Sequence, residues 1–355
     1  MTRSTSRCHP LGAHRVLVPA GAMPQDAWRI DNTPIAGPTE ILCEVEALNI
    51  DSASFRQLRD SCGSDAERIG LRVAEIVEER GKQHNPVTGS GGMFVGKVRE
   101  VGVDLCERVD LRAGDRIASL VSLTLTPLWI DAIESVDLVT GRIGIRGKAI
   151  LFESGLWARI PEDIDEGVAL AVLDVAGAPA QVRRLCSPGD TVVIVGADGK
   201  SGLLSCAQAQ DRVGPQGRVI GIVPDAATRS SQLLRSEQLV DELVVADARN
   251  ALEVAERVAA LAPQLADLVV NCVNVPGTEL ASILCARDGG IVYFFSMCTS
   301  FTAAALGAEG AGRDVSMMIG NGYTKGHAEI ALQTLRHHPA LQDHFNVTYG
   351  TRIRA

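Results

Sequence analysis

The run Gly196-Ala197-Asp198-Gly199-Lys200-Ser201-Gly202 follows the apolar stretch "DTVVIV" and opens a helix-forming segment. Glycines so placed suit a turn that cradles phosphate. Gly196 permits a tight turn, Gly199 lets the backbone approach a pyrophosphate, and Gly202 lets helix and strand pack closely. The helix N-terminus then presents free N–H groups and the positive end of its dipole. Lys200 and Ser201 can reach phosphate or ribose, though a solvated role for Lys200 is as well supported. The "GKS" inside the motif does not make a P-loop, because Gly196 and Gly199 lie too close together for a Walker loop. Asp225, at the end of "GRVIGIVPD", is the candidate ribose ligand, displaced by Pro224; Arg229 behind it could meet a 2′-phosphate instead. NAD and NADP are both admitted, with a lean to NAD. Asp198, Asn274 and Ser296 complete the candidate cofactor-binding set.

These residues need a scaffold, and the hydrophobic pattern supplies one. From about Pro161 strand-like runs ("GRVIGIV", "DELVVA", "ADLVVNCVN", "GGIVYFFSM") alternate with amphipathic helices. Near-continuous apolar strands between helices indicate a parallel sheet covered on both faces. Before that point the chain is β-rich and turn-rich, with "RVLVP", "EILCEVEALNI" and "MFVGKVREVG" as strands. One helix interrupts them: "DAERIGLRVAEIVEERG" places Ile69, Val73, Ile76 and Val77 on one face and Gly81 at the stop. The expected class is α/β, a doubly wound Rossmann sheet plus a β-rich N-terminal domain. Residues 1–160 form the β-rich domain, completed by 322–355, and 161–321 the dinucleotide-binding domain.

The 355 residues suffice for two domains, and 46% of them are hydrophobic. A net charge of −9 argues against a nucleic-acid partner, which needs a basic face. The nine cysteines are odd in number, irregularly spaced and free of C-x-x-C, against a disulfide framework or a thiolate zinc knuckle. No apolar run is long enough to span a membrane, and no apolar core of a signal peptide is present, so a cytoplasmic enzyme is expected.

"GGMFVGKVREVG" resembles the G-H-E-x-x-G-x-V-x-x-V-G stretch of the medium-chain dehydrogenase/reductase superfamily. Gly91, Gly96, Val98, Val101 and Gly102 fall in register, as does the later "AGDRI". The resemblance implies a GroES-like first domain followed by a Rossmann domain. In zinc-dependent members, the catalytic metal is held at positions where this chain has Asp51, Gly92, Met93 and Asp174. Gly and Met are not useful zinc ligands and two carboxylates make a poor zinc site, so no metal is expected. Oxidising an alcohol builds negative charge on oxygen, which a cation stabilises. Oxidising an amine builds positive charge on nitrogen, which carboxylates stabilise. Asp51 and Asp174 therefore suit an amine, with helix capping or structural pairing as the alternative for each.

"RGKQHNPVTGSGGMFVGKV", and Asn85 to Gly92 above all, resembles the L-erythro-3,5-diaminohexanoate dehydrogenases, a family of lysine fermentation. That resemblance implies NAD(P)-dependent oxidative deamination, a small cationic amino-acid substrate and a homodimer. A pocket for two ammonium groups and one carboxylate needs anionic partners and an anion-binding corner. Asp51, Asp174 and Glu153 are candidates for the former; Glu153 is more simply a surface residue. The loop 84–92, through Asn85, Thr88 and Ser90, is a candidate for the latter. His84 is a candidate proton relay and Lys82 a weaker one. A zinc-free NADPH-dependent quinone or enoyl reductase is the alternative; for it both aspartates would be incidental.

Overall fold

The computed structural model describes residues 8–85, 89, 91–320 and 322–351. The chain divides into two compact units, Met1–Asp163 and Ile164–Ala355.

The first unit begins with a small antiparallel ribbon of β1 (Val16–Val18) and β2 (Arg29–Ile30). Then follow β3 (Glu40–Asn49), α1 (Ser52–Cys62), α2 (Ala66–Arg80), β4 (Met93–Val101), β5 (Arg116–Ser119), β6 (Leu128–Val136), β7 (Arg142–Phe152) and β8 (Trp157–Arg159). The longer strands make one antiparallel sheet in the order β6-β7-β3-β4-β5-β8. β3 is its hub: Ile41, Cys43 and Val45 enter a core with Val98, Ile117 and Ile145.

α2 shows why the sequence folds as it does. Asp65 accepts hydrogen bonds from the N–H groups of Glu67 and Arg68, and Gly81 closes the helix at φ 73°, a conformation that favours glycine. The stripe Ile69, Val73, Ile76 and Val77 is buried, and α2 packs on β6. Each such side chain contributes about 1.5–3 kcal/mol when fully buried. The start of the unit is anchored by Arg15, whose Nε and Nη2 donate to Glu40 at 2.7 and 2.6 Å while Nη1 and Nη2 also reach the carbonyls of Asp31, Thr33 and Ile35. Both partners are buried, so removing either would cost about 3–5 kcal/mol.

In the second unit α3 (Glu166–Leu173) and α4 (Gly177–Leu185) precede the alternating part: β9 (Thr191–Val195), α5 (Lys200–Val213), β10 (Arg218–Val223), α6 (Arg229–Ser236), β11 (Glu242–Val245), α7 (Ala251–Leu261), β12 (Ala266–Asn271), α8 (Glu279–Cys285), β13 (Ala286–Phe294), α9 (Phe301–Ala311) and β14 (Ser316–Ile319). All neighbouring strands are parallel, in the order β11-β10-β9-β12-β13-β14. Counted within the sheet this is the doubly wound Rossmann order, with the chain reversing direction across the sheet beside β9. α10 (His327–His337) and α11 (Pro339–Tyr349) follow.

Segment 322–355, expected to complete the β-rich domain, groups with the second unit instead. α10 packs on α4, α3 and α5, and α11 on α3 and α6. Thr351 seals the arrangement: its N–H and hydroxyl donate to the two oxygens of Asp165, the N-cap of α3, at 2.9 and 2.7 Å. The physical reason is that α3 is apolar on every side and needs cover beyond the sheet.

Candidate active site

In the first unit the chemistry-bearing side chains gather at the N-terminus of α1. Asp51 is its N-cap, accepting from the Ser54 N–H at 2.9 Å and from the Ser54 hydroxyl at 2.6 Å. Ser54, 1% exposed, accepts in turn from Asn85 Nδ2 at 2.9 Å. A chain Asn85–Ser54–Asp51 thus orients one carboxylate, itself only partly buried. The capping role noted as an alternative for Asp51 is real: its carboxylate closes the N-terminal end of α1.

Gly92, which the sequence resemblance sets at the superfamily's histidine position, owes its identity to the backbone around it. Gly92 has φ 84°, and a Cβ there would lie 2.1 Å from the Asn49 carbonyl oxygen. No ligand-bearing side chain fits at this position. Among the described residues no group of three or more His, Cys, Asp or Glu side chains is placed to hold a metal.

Beside Ser54 lies a cavity of about 240 Å³ lined by Gln57, Leu58, Ile76, Gln83, His84 and Asn85, among others. Burial, with the charges of Arg80 and Lys82 adding to it, pushes the His84 imidazole down to about 4. Near pH 7 the ring is therefore uncharged, with one nitrogen to donate and one to accept. Lys82 is fully buried, with Nζ on the carbonyls of Pro24 (2.5 Å) and Gln25 (3.1 Å); it ties two segments together. Glu153, in the turn after β7 and partly buried, is held in an ion pair by Arg108. Thr88 and Ser90 lie outside the described residues. Ser54 and Gln83 were missed at the level of sequence. Asp51 and Ser54 are spaced as a helix cap and the N–H donor it accepts from, a signal that could have found Ser54; nothing local announces Gln83.

In the second unit the glycine motif has the anticipated form. Gly196 turns at φ 79° after β9, and Gly199 is the N-cap of α5. A Cβ on Gly202 would meet Gly196 O at 2.1 Å, so the helix rests directly on the turn. A Cβ on Gly199 would meet nothing closer than 3.6 Å, so that face of the loop is open. Ser201 is buried in the first turn. The residues fit a dinucleotide: an open, glycine-floored turn, free N–H groups at a helix start, and a carboxylate at the end of the next strand. Asp225 is that carboxylate, exposed and accepting from Ala227 N–H at 2.8 Å; Arg229 opens α6. Asp198 has its carboxyl raised, by burial first; its own backbone N–H opposes and the Asp225 charge adds to the rise.

Lys200 and Asp174 form an ion pair, so neither acts as an independent charge. Asp174 is the C-cap of α3, and its carboxylate is the partner of a lysine rather than a ready acceptor for an ammonium group. Tyr349 of α11 stands close enough to feel both: burial raises its phenol, Lys200 lowers it and Asp174 raises it, with a net rise. Ser296 donates to Asn274 Oδ1 at 3.2 Å. The loop bearing Asn274 is held by a residue that sequence reading passed over, Asn271, which is 1% exposed and donates to Thr278 Oγ1 and Ser282 Oγ at 2.8 and 2.9 Å.

Comparison with known proteins gives this arrangement a context. Over 339 residues, 95% of this chain and 98% of the relative, it is 52% identical to the L-erythro-3,5-diaminohexanoate dehydrogenase of Acetoanaerobium sticklandii. The chain belongs to the L-erythro-3,5-diaminohexanoate dehydrogenase family. A protein of the same name from Fusobacterium nucleatum is 50% identical over the same shares. The model of the L-erythro-3,5-diaminohexanoate dehydrogenase N-terminal domain matches residues 14–161, most of the first unit. Among solved structures, a Pseudomonas syringae pv. tomato quinone oxidoreductase superposes with a TM-score of 0.51 at 17% identity, covering 90% of this chain and 84% of its own. That likeness concerns the fold, the medium-chain dehydrogenase architecture, and not the reaction.

Proposed function

We propose that the chain catalyses the NAD(P)-dependent oxidative deamination of L-erythro-3,5-diaminohexanoate at C3, giving 5-amino-3-oxohexanoate and ammonia. The observation that carries this reading is the likeness at 52% identity, across 95% of the chain, to an enzyme of that name. It is supported by a carboxylate in the first unit, that of Asp51, which Ser54 and Asn85 orient and which the sequence resemblance aligns with a metal ligand of zinc-dependent members. The 17% identity to a quinone oxidoreductase gives no comparable support to a quinone or enoyl reductase.

In this reading the second unit holds the dinucleotide through Gly196, Gly199 and Gly202, with Lys200 and Ser201 at the phosphates and Asp225 at the adenosine ribose. Asn274 and Ser296 border the nicotinamide half. A bound nicotinamide supplies the hydride acceptor. Asp51 takes a proton from the C3 ammonium, leaving the neutral amine from which hydride can depart. The same carboxylate, now protonated, passes its proton on and stabilises the iminium as positive charge develops on nitrogen. Water adds at C3, and ammonia leaves as the carbonyl forms. Ser54 and Asn85 keep the Asp51 carboxylate in one orientation throughout. Asp174 serves by holding Lys200. The loop 84–92, with Thr88 and Ser90, receives the substrate carboxylate.

The reading favours NAD over NADP, because Asp225 lies near enough to Asp198 for its charge to raise the Asp198 carboxyl, and such a pair would repel a 2′-phosphate. The reading also brings a cytoplasmic homodimer, a place in lysine degradation and independence of metal. Among the described residues no helix is long and apolar enough to cross a membrane. The test is reduction of NAD+ or NADP+ by 3,5-diaminohexanoate with ammonia release followed in parallel. Absence of both with either cofactor would overturn it.

A further inference from the structure

β9, β12 and β13 run parallel as neighbours, so the segments that follow them leave the sheet at one edge. The glycine turn after β9 abuts the segment after β12: a Cβ built on Gly196 would lie 2.9 Å from Val273 Cγ2. The segment after β13, residues 296–300, forms an arch with both feet tied to the segment after β12. At one foot the Ser296 hydroxyl donates to Asn274 Oδ1 at 3.2 Å. At the other the Ser300 N–H donates to Glu279 Oε1 at 2.7 Å. Apolar packing does not hold the arch, since Met297 on it and Phe301 just past it are 67% and 71% exposed. Its place is therefore set by polar bonds. Glu279 is 3% exposed and is the first residue of α8, while Ser300 is the N-cap of α9. A buried carboxylate costs stability where an apolar residue would not, so its bond to Ser300 points to a use beyond filling space. Asn271, bonded to Thr278 Oγ1 and Ser282 Oγ, already braces the start of α8. Glu279 thus projects from a fixed base, and the arch is the part it positions.

We propose that Glu279 is a positioning residue for the nicotinamide end of the dinucleotide: by pinning Ser300 it holds the 296–300 arch against Asn274 in the form that receives the ring. The inference rests on the reading above, in which Asn274 and Ser296 border the nicotinamide half, and deepens it by naming a residue that acts through Ser300 and not by touching the cofactor. An arch tied at both feet before the cofactor arrives leaves less ordering to be done at binding. With the Glu279 foot released, Ser296 alone holds the arch, and the cofactor has to order it. The adenosine and pyrophosphate lie on the glycine loop and Asp225, which Glu279 does not hold, so their binding is independent of this bond.

The test is calorimetric titration of NAD+ and of ADP-ribose into the full-length enzyme. ADP-ribose shares the adenosine and pyrophosphate of NAD+ and lacks the nicotinamide. In Glu279→Ala the Kd for NAD+ should rise about ten-fold, while that for ADP-ribose stays within about two-fold of wild type. Glu279→Gln presents an acceptor oxygen at the same reach and should recover most of the lost affinity. Thermal unfolding shows whether each variant keeps the fold. Should Glu279→Ala fail to fold, Glu279→Asp, one methylene short of Ser300, takes its place with the same expectation. Equal weakening of both ligands would make Glu279 a general support of the fold and overturn the proposal. Unchanged NAD+ affinity in Glu279→Ala, or a Glu279→Gln enzyme no better than it, would overturn the proposal too. None of these titrations contains an amine, so they stand apart from the deaminase reading. Absence of amine turnover in an enzyme that shows the expected titrations would overturn that reading and leave the role of Glu279 in place.

Discussion

The Ser54 hydroxyl donates to Asp51 Oδ2 at 2.6 Å, while the backbone N–H of the same residue holds Oδ1 at 2.9 Å. One serine therefore fixes both oxygens of the carboxylate assigned to proton transfer.

Capping and catalysis at Asp51 can be separated by one substitution. Asn is as good an N-cap as Asp, so Asp51→Asn should keep α1 and the melting temperature close to wild type. It cannot take the C3 proton, and turnover should fall about 10²- to 10⁴-fold with much less change in cofactor KM. Ser54→Ala should lower kcat less, by about ten-fold, since it loosens the carboxylate without removing it. Steady-state kinetics with both substrates varied checks this; an Asp51→Asn enzyme at full speed would take Asp51 out of the mechanism.

The glycine loop makes opposite predictions for two neighbours. Gly202→Ala would drive a methyl group against Gly196 O, so the second unit should lose roughly 1–3 kcal/mol or more and bind dinucleotide poorly. Gly199 has φ −79° and room for a Cβ, so Gly199→Ala should melt like wild type. Its methyl group would face the pyrophosphate, and the dinucleotide Kd should rise about ten-fold. Calorimetric melting and dinucleotide titration, run on both variants, separate the two effects.

Cofactor choice should follow Asp225. The wild type should use NAD+ better than NADP+, and Asp225→Ser should narrow the ratio of their kcat/KM values by about ten-fold, by relieving repulsion of a 2′-phosphate near Arg229. A wild-type preference for NADP+ would reverse the assignment of that carboxylate.

His84 makes a pH-dependent contribution to stability of predictable sign. In the unfolded chain its imidazole binds a proton below about pH 6.5, but in the fold burial holds it down to about 4. Between these values the unfolded state binds more protons, so stability falls as pH drops from 6.5 through 4, and the slope then ends. His84→Phe should flatten that part of the profile. Denaturant midpoints measured from pH 7 to pH 4 in both proteins would show it; identical profiles would place His84 in a more solvated setting.

Metal independence is open to direct measurement. Exhaustive dialysis against a chelator should leave kcat unchanged, and elemental analysis should find no stoichiometric zinc. A chelator-sensitive enzyme restored by zinc would contradict the carboxylate chemistry.

Much of this was legible in the sequence because some segments carry a single strong signal. α2 combines an apolar stripe, an Asp cap and a stop glycine, and β9 to α5 combines a buried strand with spaced glycines. Other segments hide their structure for physical reasons. α3 is apolar all round, so it has no helical period to read. Pro339 separates α10 from α11 and is the first residue of α11, a position proline favours because its missing N–H is not needed there. The site divides in the same way. The glycines were legible from their spacing after a buried strand, whereas Asp51 and Asn85 became candidates only through the resemblance to known families. Gln83 gains its meaning only from burial by distant segments, and the pairing of Asp174 with Lys200 joins residues 26 apart that sequence reading had given separate duties.

The bonds from Thr351 to Asp165 span 186 positions. Strands β9 to β14 can associate with their neighbours one after another as the polypeptide emerges from the ribosome. The α3–α4 pair, which carries Asp174, cannot gain its full cover until residues beyond 322 have been synthesised. The lysine–aspartate contact at the start of α5 is local by comparison, joining residues 26 apart, so the brace of the dinucleotide loop and the far C-terminal cover meet on the same helix pair.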